Sequence, residues 1–206
     1  VTPWNAPIIL SMLKVAPALV AGNASVVKPS PFAPLAITAV VRRLAASLPE
    51  GLLYVVHGDA ETGEALVGHP LVRKVAFTGG DVVAQAIAAT AATQLTPTVM
   101  ELGGNDAAIL LDDALLDDAA LDRLVVASYA TSGQVCMASK RIYVPRARFD
   151  DVLAGLEAAA GRMILMGDPL DDGVSVGPVV TRRAQQRLHE LVAGSHVVGV
   201  TTNPSI

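Results

Sequence analysis

Cys136 is the only cysteine in the chain and lies in the run Ser132-Gly133-Gln134-Val135-Cys136-Met137-Ala138. A thiolate is a strong nucleophile and a fair leaving group, so an accessible cysteine can form and release a covalent intermediate. The plain alternative is a small buried hydrophobe, which is what a lone cysteine usually is. Gly133 would let backbone approach Cys136 or its ligand closely. Upstream by 35 positions, Glu101 ends an apolar run and is followed by Leu102-Gly103-Gly104. A carboxylate at the carboxyl end of a strand is placed to act as a general base, since α/β folds build their sites there; otherwise it caps a turn. Asn5, in Pro3-Trp4-Asn5, offers an amide N–H to a developing oxyanion, or else serves a turn or helix cap.

Two glycine turns could approach phosphate. One is His57-Gly58-Asp59-Ala60-Glu61-Thr62-Gly63, and the other is Phe77-Thr78-Gly79-Gly80, directly between a strand and a helix. Helix N-termini after such turns bind phosphate through free N–H groups and the helix dipole. Neither turn matches G-x-G-x-x-G, and both also read as ordinary strand-to-helix turns. Lys28 follows an apolar strand in Val27-Lys28-Pro29-Ser30, where it either reaches solvent or meets a ribose or phosphate. The histidines (His57, His69, His189, His196) show no metal-ligand spacing. The pairs Asp112-Asp113, Asp117-Asp118 and Asp171-Asp172 read as helix starts and solvated loops, so no metal site is expected.

The elements that must position these residues alternate along the chain. Helices are expected over Ala6–Ala21, Phe32–Ala46, Ala60–Val67, Asp81–Ala92, Asp117–Tyr129, Arg148–Met163 and Thr181–Ala193. Strands are expected over Ser25–Lys28, Leu52–Val56, Val72–Phe77, Val99–Leu102, Ala107–Leu111 and Arg141–Val144. Pro34 suits a first helical turn, and the acids opening Asp117–Tyr129 suit the helix dipole. Leu52–Val56 is continuously apolar, as expected of a strand buried on both faces. Strands and helices alternating at these lengths imply an α/β fold with a mostly parallel sheet, and a domain change is expected between Glu101 and Leu111.

The chain has 206 residues, enough for one domain or two small ones. With 52% apolar and 17% charged residues it is not a disordered chain, and with 3% aromatics its core must be mostly Ala, Val, Leu and Ile. The net charge of −4 and the lack of a basic run exclude a general nucleic-acid partner. Arg42-Arg43 and Arg182-Arg183 are isolated pairs. The most apolar stretch, Ala6–Val27, is interrupted by Pro7, Lys14, Pro17, Gly22 and Asn23, so no membrane partner is expected. A single cysteine excludes an internal disulfide framework and fits a reducing, cytoplasmic compartment. The opening Val1-Thr2-Pro3-Trp4-Asn5, without Met, reads as part of a longer protein.

Together the motifs resemble the aldehyde dehydrogenase superfamily. They occur in that family's order: Pro3-Trp4-Asn5, Lys28-Pro29-Ser30, Phe77-Thr78-Gly79-Gly80, Glu101-Leu102-Gly103-Gly104 and Gly133-Gln134-Val135-Cys136. The resemblance covers about Thr2 to Val192. It implies a Rossmann-like, mostly parallel sheet, incomplete here, followed by the start of an α/β catalytic domain. The implied division is a partial NAD(P)-binding domain over 1–102, a partial catalytic domain over 103–193 and a divergent tail over 194–206. It also implies a mechanism in which the Cys136 thiolate attacks an aldehyde carbonyl while Asn5 and the Cys136 backbone N–H hold the oxyanion. Hydride passes to the nicotinamide of NAD or NADP, and Glu101 activates the water that releases a carboxylic acid. By the same resemblance Lys28 and Ser30 meet the adenosine ribose, Gly79 and Gly80 open the helix near the pyrophosphate, Thr78 and Gly103 border the nicotinamide half, and Trp4 lies near the cofactor through its backbone. The partner is a small aldehyde, and a full-length form would be a homo-oligomer.

Several positions depart from the family pattern. Gly80 stands where many members have Ser, removing one side-chain phosphate contact. Pro31 stands where many NAD-preferring members have Glu, removing a ribose acceptor and a repulsion against a 2′-phosphate. Asn105 stands where Lys is common. Members are more than twice this length, and the downstream Glu-x-Phe motif and the subunit-joining strands are not in this sequence. Past Ala193 the pattern fades, and Gly199–Ser205 looks like a short transaldolase-type motif. Two alternatives therefore stand beside an aldehyde-oxidising enzyme: an inactive relic or binding module of the same fold, and a relative that transfers the acyl group to coenzyme A. Glu101 argues against the latter, because a water-activating base would be unhelpful there.

Overall fold

The computed structural model describes residues 1–194; the Gly199–Ser205 motif and nearly all of the tail expected to diverge lie outside the described residues. The chain forms two compact units, Val1–Gly103 and a second from Gly104 onward.

In the first unit, helix α1 (Pro7–Val20) leads to strand β1 (Ser25–Val27), helix α2 (Leu35–Ala45), β2 (Leu53–Val55), α3 (Ala60–Val67), β3 (Val75–Thr78), α4 (Asp81–Ala92) and β4 (Thr98–Glu101). The strands pair in parallel, β1 with β2 and β3 with β4. Val1 and Thr2 join the two pairs. The Val1 amino group donates to the Ala76 carbonyl at 2.8 Å and Thr78 N–H donates to the Val1 carbonyl at 3.2 Å. On the other side Thr2 N–H donates to the Lys28 carbonyl at 3.1 Å. The spatial order is thus β2, β1, residues 1–2, β3, β4, with the carboxyl ends of the strands on one edge, as βαβ crossovers require.

Pro7 opens α1 at a position where its missing N–H costs nothing. Ile37 and Val41 of α2 pack with Val15 of α1, Val27 of β1 and Leu53 of β2, and all are buried. Val67, Val75 and Ala91 form a second cluster under α3 and α4. Strand β2 departs from the expectation of burial on both faces. Leu53 is buried, but Tyr54 is 51% exposed, because its side of the pleat has no layer over it in this chain. The strand expected from Val72 begins only at Val75, since Val72 N–H closes a turn onto the His69 carbonyl.

The second unit contains β5 (Asp106–Ile109), α5 (Asp118–Tyr129), a 3-10 turn (Ala130–Gly133), β6 (Ser139–Tyr143), a second 3-10 turn (Arg146–Arg148), α6 (Phe149–Met163) and α7 (Arg182–Ala193). β5 and β6 pair in parallel, with a register shift after Asp106. The Asp117 carboxylate caps α5 by accepting from Ala120 N–H at 2.8 Å. Leu121 and Val125 of α5 close on Ala159 of α6. Gly155 permits that approach: a Cβ there would stand 2.8 Å from a Leu121 methyl group. Arg162 of α6 also pairs with Asp122 of α5 at 2.7 Å.

This packing sets an expected contrast in stability. Ile37→Ala removes a side chain that is 0% exposed, leaving a cavity among four aliphatic neighbours, and should cost about 3 kcal/mol. Leu35→Ala, two residues away and 82% exposed, should change stability by less than about 0.5 kcal/mol. Urea denaturation of the two variants checks both, and equal effects would refute the assigned core.

Candidate active site

In the first unit, the carboxyl ends of β3 and β4 gather one set of expected residues. Parallel register sets Thr78 beside Glu101, and Gly79 N–H donates to the Glu101 carbonyl at 3.1 Å. Thr78 is buried, and its hydroxyl accepts from Lys14 Nζ at 2.5 Å. The same ammonium reaches back to the Leu10 carbonyl of its own helix at 3.3 Å. Burial pushes the Lys14 amine below the ordinary lysine range, while the Glu101 carboxylate pulls it back up. Glu101 is exposed. Sequence reasoning passed over Lys14; the available signal was a lysine interrupting an otherwise apolar helix. Gly103, past the end of β4, is also exposed.

Gly79 and Gly80 form the turn into α4, and Gly80 occupies the N-cap position with extended backbone. A Cβ at Gly79 would collide with the Phe77 ring, whereas one at Gly80 would meet nothing within 4 Å. The two glycines thus differ in role: the first is needed for packing, and the second leaves open space at a helix N-terminus. Trp4 and Asn5 are half-buried in the bend before α1. The N-cap of α1 is Ala6, so Asn5 is not its cap.

Lys28 does not reach solvent freely: it is 5% exposed. Its stem runs toward Gly63 of α3, where an added Cβ would lie 3.6 Å from its Cε. Its ammonium donates to the Pro29 carbonyl at 3.4 Å. Burial lowers its pKa, and Asp59 opposes the shift. The Ser30 hydroxyl accepts from Phe32 N–H at 3.3 Å. Beside these residues lies a cavity of about 540 Å³, bordered by Pro31, Thr38, Arg42, His57 and Asp59 among others. The Thr38 hydroxyl and His57 Nε2, both on its wall, are 3.2 Å apart. From the sequence His57 read as part of a glycine turn and as a histidine without metal-ligand spacing, and Arg42 as half of an isolated pair.

In the second unit, Cys136 follows three residues of left-handed backbone: Thr131 at φ 53°, Ser132 at 57° and Gly133 at 71°. Left-handed conformation costs a non-glycine residue about 1–2 kcal/mol, so the segment leading to the cysteine carries two strained residues, Thr131 and Ser132. The cost is offset by anchors. Ser132 Oγ donates to the Gly177 carbonyl at 2.8 Å, Gln134 Nε2 donates to the Thr131 carbonyl at 3.1 Å, and Gln134 Oε1 accepts from Val180 N–H at 2.9 Å. Val135–Ala138 then makes a tight turn, closed by Ala138 N–H to the Val135 carbonyl at 3.2 Å, with Cys136 and Met137 at its tip. Cys136 is exposed, contrary to the habit of lone cysteines. The close backbone approach expected at Gly133 occurs instead at Gly104, where a Cβ would lie 3.1 Å from the Cys136 carbonyl oxygen. Among the described residues no group of His, Cys, Asp and Glu could hold a metal ion, and no helix is long and apolar enough to cross a membrane.

Comparison with known proteins supplies the family. The model of the aldehyde dehydrogenase family matches residues 1–202, which includes most of the segment where the motif pattern was expected to fade. Betaine aldehyde dehydrogenase of Vibrio vulnificus is 36% identical over 199 residues, covering 96% of this chain and 40% of the relative. Geranial dehydrogenase of Castellaniella defragrans is 42% identical over 198 residues, covering 94% and 41%. An aldehyde dehydrogenase of Mycobacterium tuberculosis, solved with NAD+, superposes with a TM-score of 0.87 at 35% identity, covering 93% of this chain and 40% of that one. The chain therefore spans about 40% of the length of the relatives it matches. With its parallel α/β units, its cysteine turn and a family match along nearly its whole length, the chain belongs to the aldehyde dehydrogenase family.

Proposed function

We propose that this chain carries the nucleophile, the base and most of the dinucleotide-binding elements of an enzyme that oxidises an aldehyde to a carboxylic acid. The observation that carries the reading is the exposed Cys136 thiol at the tip of a turn that follows strained and anchored backbone. A buried, unreactive cysteine would need neither the strain nor the anchors.

In this reading the Cys136 sulfur bonds to the aldehyde carbon and the carbonyl electrons move onto oxygen. The Asn5 amide and the Cys136 N–H are the donors that hold this oxyanion. When bound, NAD or NADP supplies the hydride acceptor for the one oxidation step. Glu101 then takes a proton from water, whose oxygen attacks the thioester carbon. The C–S bond breaks, releasing the acid and restoring the thiolate. The exposed carboxylate at the end of β4 supports hydrolysis over transfer to coenzyme A.

The residues present fit a dinucleotide. Gly80 leaves room for a phosphate at the N-terminus of α4. The buried stem of Lys28 aims its ammonium from the end of β1 beside Ser30, and these two take the adenosine ribose. Pro31, Thr38, Arg42 and His57 border the adjoining cavity, with Asp59 as its one acid. This setting tolerates a 2′-phosphate, so both NAD and NADP are expected to bind. Thr78, Gly79, Gly103 and Trp4 complete the cofactor set.

One further observation favours a second reading for the chain by itself. Ile9 and Leu13 of α1, Leu35 of α2 and Leu95 after α4 are between 66% and 89% exposed, large apolar side chains of the kind that partner segments cover. On that reading these 206 residues bind and react but complete no turnover. Steady-state aldehyde oxidation by the isolated chain would overturn it.

Two mutational outcomes are expected. In a full-length version, Cys136→Ala should lower aldehyde oxidation by at least about 1,000-fold. Glu101→Gln should keep a single burst of reduced cofactor while steady-state turnover falls roughly 100-fold or more. An undiminished rate in Cys136→Ala would sink the mechanism. Separately, Gly80→Ser should tighten dinucleotide binding about three- to tenfold by adding one phosphate hydrogen bond, because a side chain there meets no other atom. Calorimetric titration reads this directly; weaker binding in Gly80→Ser would show that the phosphate lies elsewhere.

A further inference from the structure

Lys140, the second residue of β6, donates from Nζ to the Val135 carbonyl at 3.2 Å and to the Cys136 carbonyl at 3.2 Å. These two carbonyls belong to the peptide units on either side of the Cys136 Cα. In a trans peptide the C=O and the following N–H point in opposite directions, and no peptide among the described residues is cis. The Val135 carbonyl shares its plane with the Cys136 N–H. An ammonium fixed on that carbonyl therefore fixes the direction of the Cys136 N–H, which points away from Lys140.

We propose that Lys140 is a positioning residue for the oxyanion site, acting through the Val135–Cys136 peptide to aim and strengthen the Cys136 N–H. This rests on the reading of Cys136 as nucleophile and goes one step beyond it. Three features support it. The Val135 carbonyl accepts from both Lys140 and the Ala138 N–H, so both its lone pairs are used and its plane cannot swivel. The Cys136 carbonyl also lies against Gly104, whose missing side chain leaves room for it. Among the described residues no carboxylate pairs with Lys140 and no acceptor takes the Cys136 N–H. Hydrogen bonds in series polarise one another, so a cation on the carbonyl makes the opposite N–H a better donor. A peptide so arranged resists reorganisation when negative charge develops on a substrate oxygen, which is the condition for electrostatic stabilisation.

Two reactions of Cys136 in the 206-residue chain separate this role from a merely structural one. With p-nitrophenyl acetate, the thiolate forms a C–S bond to the acyl carbon through an oxyanion, and the C–O bond breaks to release p-nitrophenolate. With iodoacetamide, the C–S bond forms as the C–I bond breaks, and no oxyanion arises. Both rates scale with the amount of thiolate, so their ratio isolates the oxyanion. Lys140→Met is expected to lower the ratio of acylation to alkylation on the order of tenfold, less than the loss of a whole oxyanion donor. Lys140→Arg, which keeps the cation and its donors, should restore most of it. An unchanged ratio, whether both rates hold or both fall together, would overturn the inference while leaving Cys136 as nucleophile. Acylation of Cys136→Ala as fast as the wild type would overturn the nucleophile assignment and this inference together.

Discussion

The first unit turns on a single half-buried hydrogen bond, from the Lys14 ammonium to the Thr78 hydroxyl. An amine taken out of water must find partners or lose its proton, and Lys14 finds two: the Leu10 carbonyl of its own helix and the end of β3. The bond ties α1 to the strand edge. Asn5 lies in the bend that enters α1, and Thr78 sits beside Glu101 in the register of β3 and β4. One interaction thereby constrains the approach of the amide proposed to hold an oxyanion, the strand end that bears the proposed base and the glycine turn into α4. It also sets a cation near the Glu101 carboxylate.

The second unit solves a related problem with strain. A turn that presents a thiol to solvent has few apolar contacts with which to hold itself. Here it is held by backbone and side-chain hydrogen bonds from several directions: Ser132 to residue 177, Gln134 to residues 131 and 180, and Lys140 to residues 135 and 136. Left-handed backbone at Thr131 and Ser132 persists only because these bonds over-determine it. Stability below the turn comes from the α5–α6 contact, whose small residues Ala159 and Gly155 allow the helices to approach.

Much of this was legible in the sequence. Ala60–Val67 and Asp81–Ala92 are helices with the expected bounds, because glycine turns and strands punctuate them on both sides. The strands shifted by one to three residues, since their ends are set by pairing partners that periodicity does not reveal. Leu52–Val56 looked buried on both faces because apolar composition records what a strand tolerates, not what covers it in this chain. Glu101 and Cys136 could be singled out by type and spacing, and the parallel α/β class followed from the alternation of elements. Lys14, Lys140 and the Thr38–His57 contact could not, because their roles depend on carbonyls and hydroxyls brought near by the fold. A lysine bonded to a main-chain oxygen leaves no mark on its sequence neighbours.

Those lysines also explain why a chain of net charge −4 can favour anions locally. Among the described residues the carboxylates that form ion pairs are Asp118 and Asp122, both with Arg162 and remote from Cys136 in sequence. Lys14 and Lys140, in contrast, bond to a hydroxyl and to carbonyls, which orient an ammonium without cancelling its charge. Lys28 bonds to the Pro29 carbonyl while Asp59 moderates its charge from a greater distance. A cation held by neutral acceptors keeps its field for whatever negative charge arrives, and that field is strongest where water is scarce. Each chemical task proposed for the chain creates or binds negative charge: a thiolate, an oxyanion, a carboxylate base and a dinucleotide's phosphates. The acidic groups that set the net charge lie mainly on solvated helix starts and loops, so global charge and local chemistry are set by different residues and need not agree.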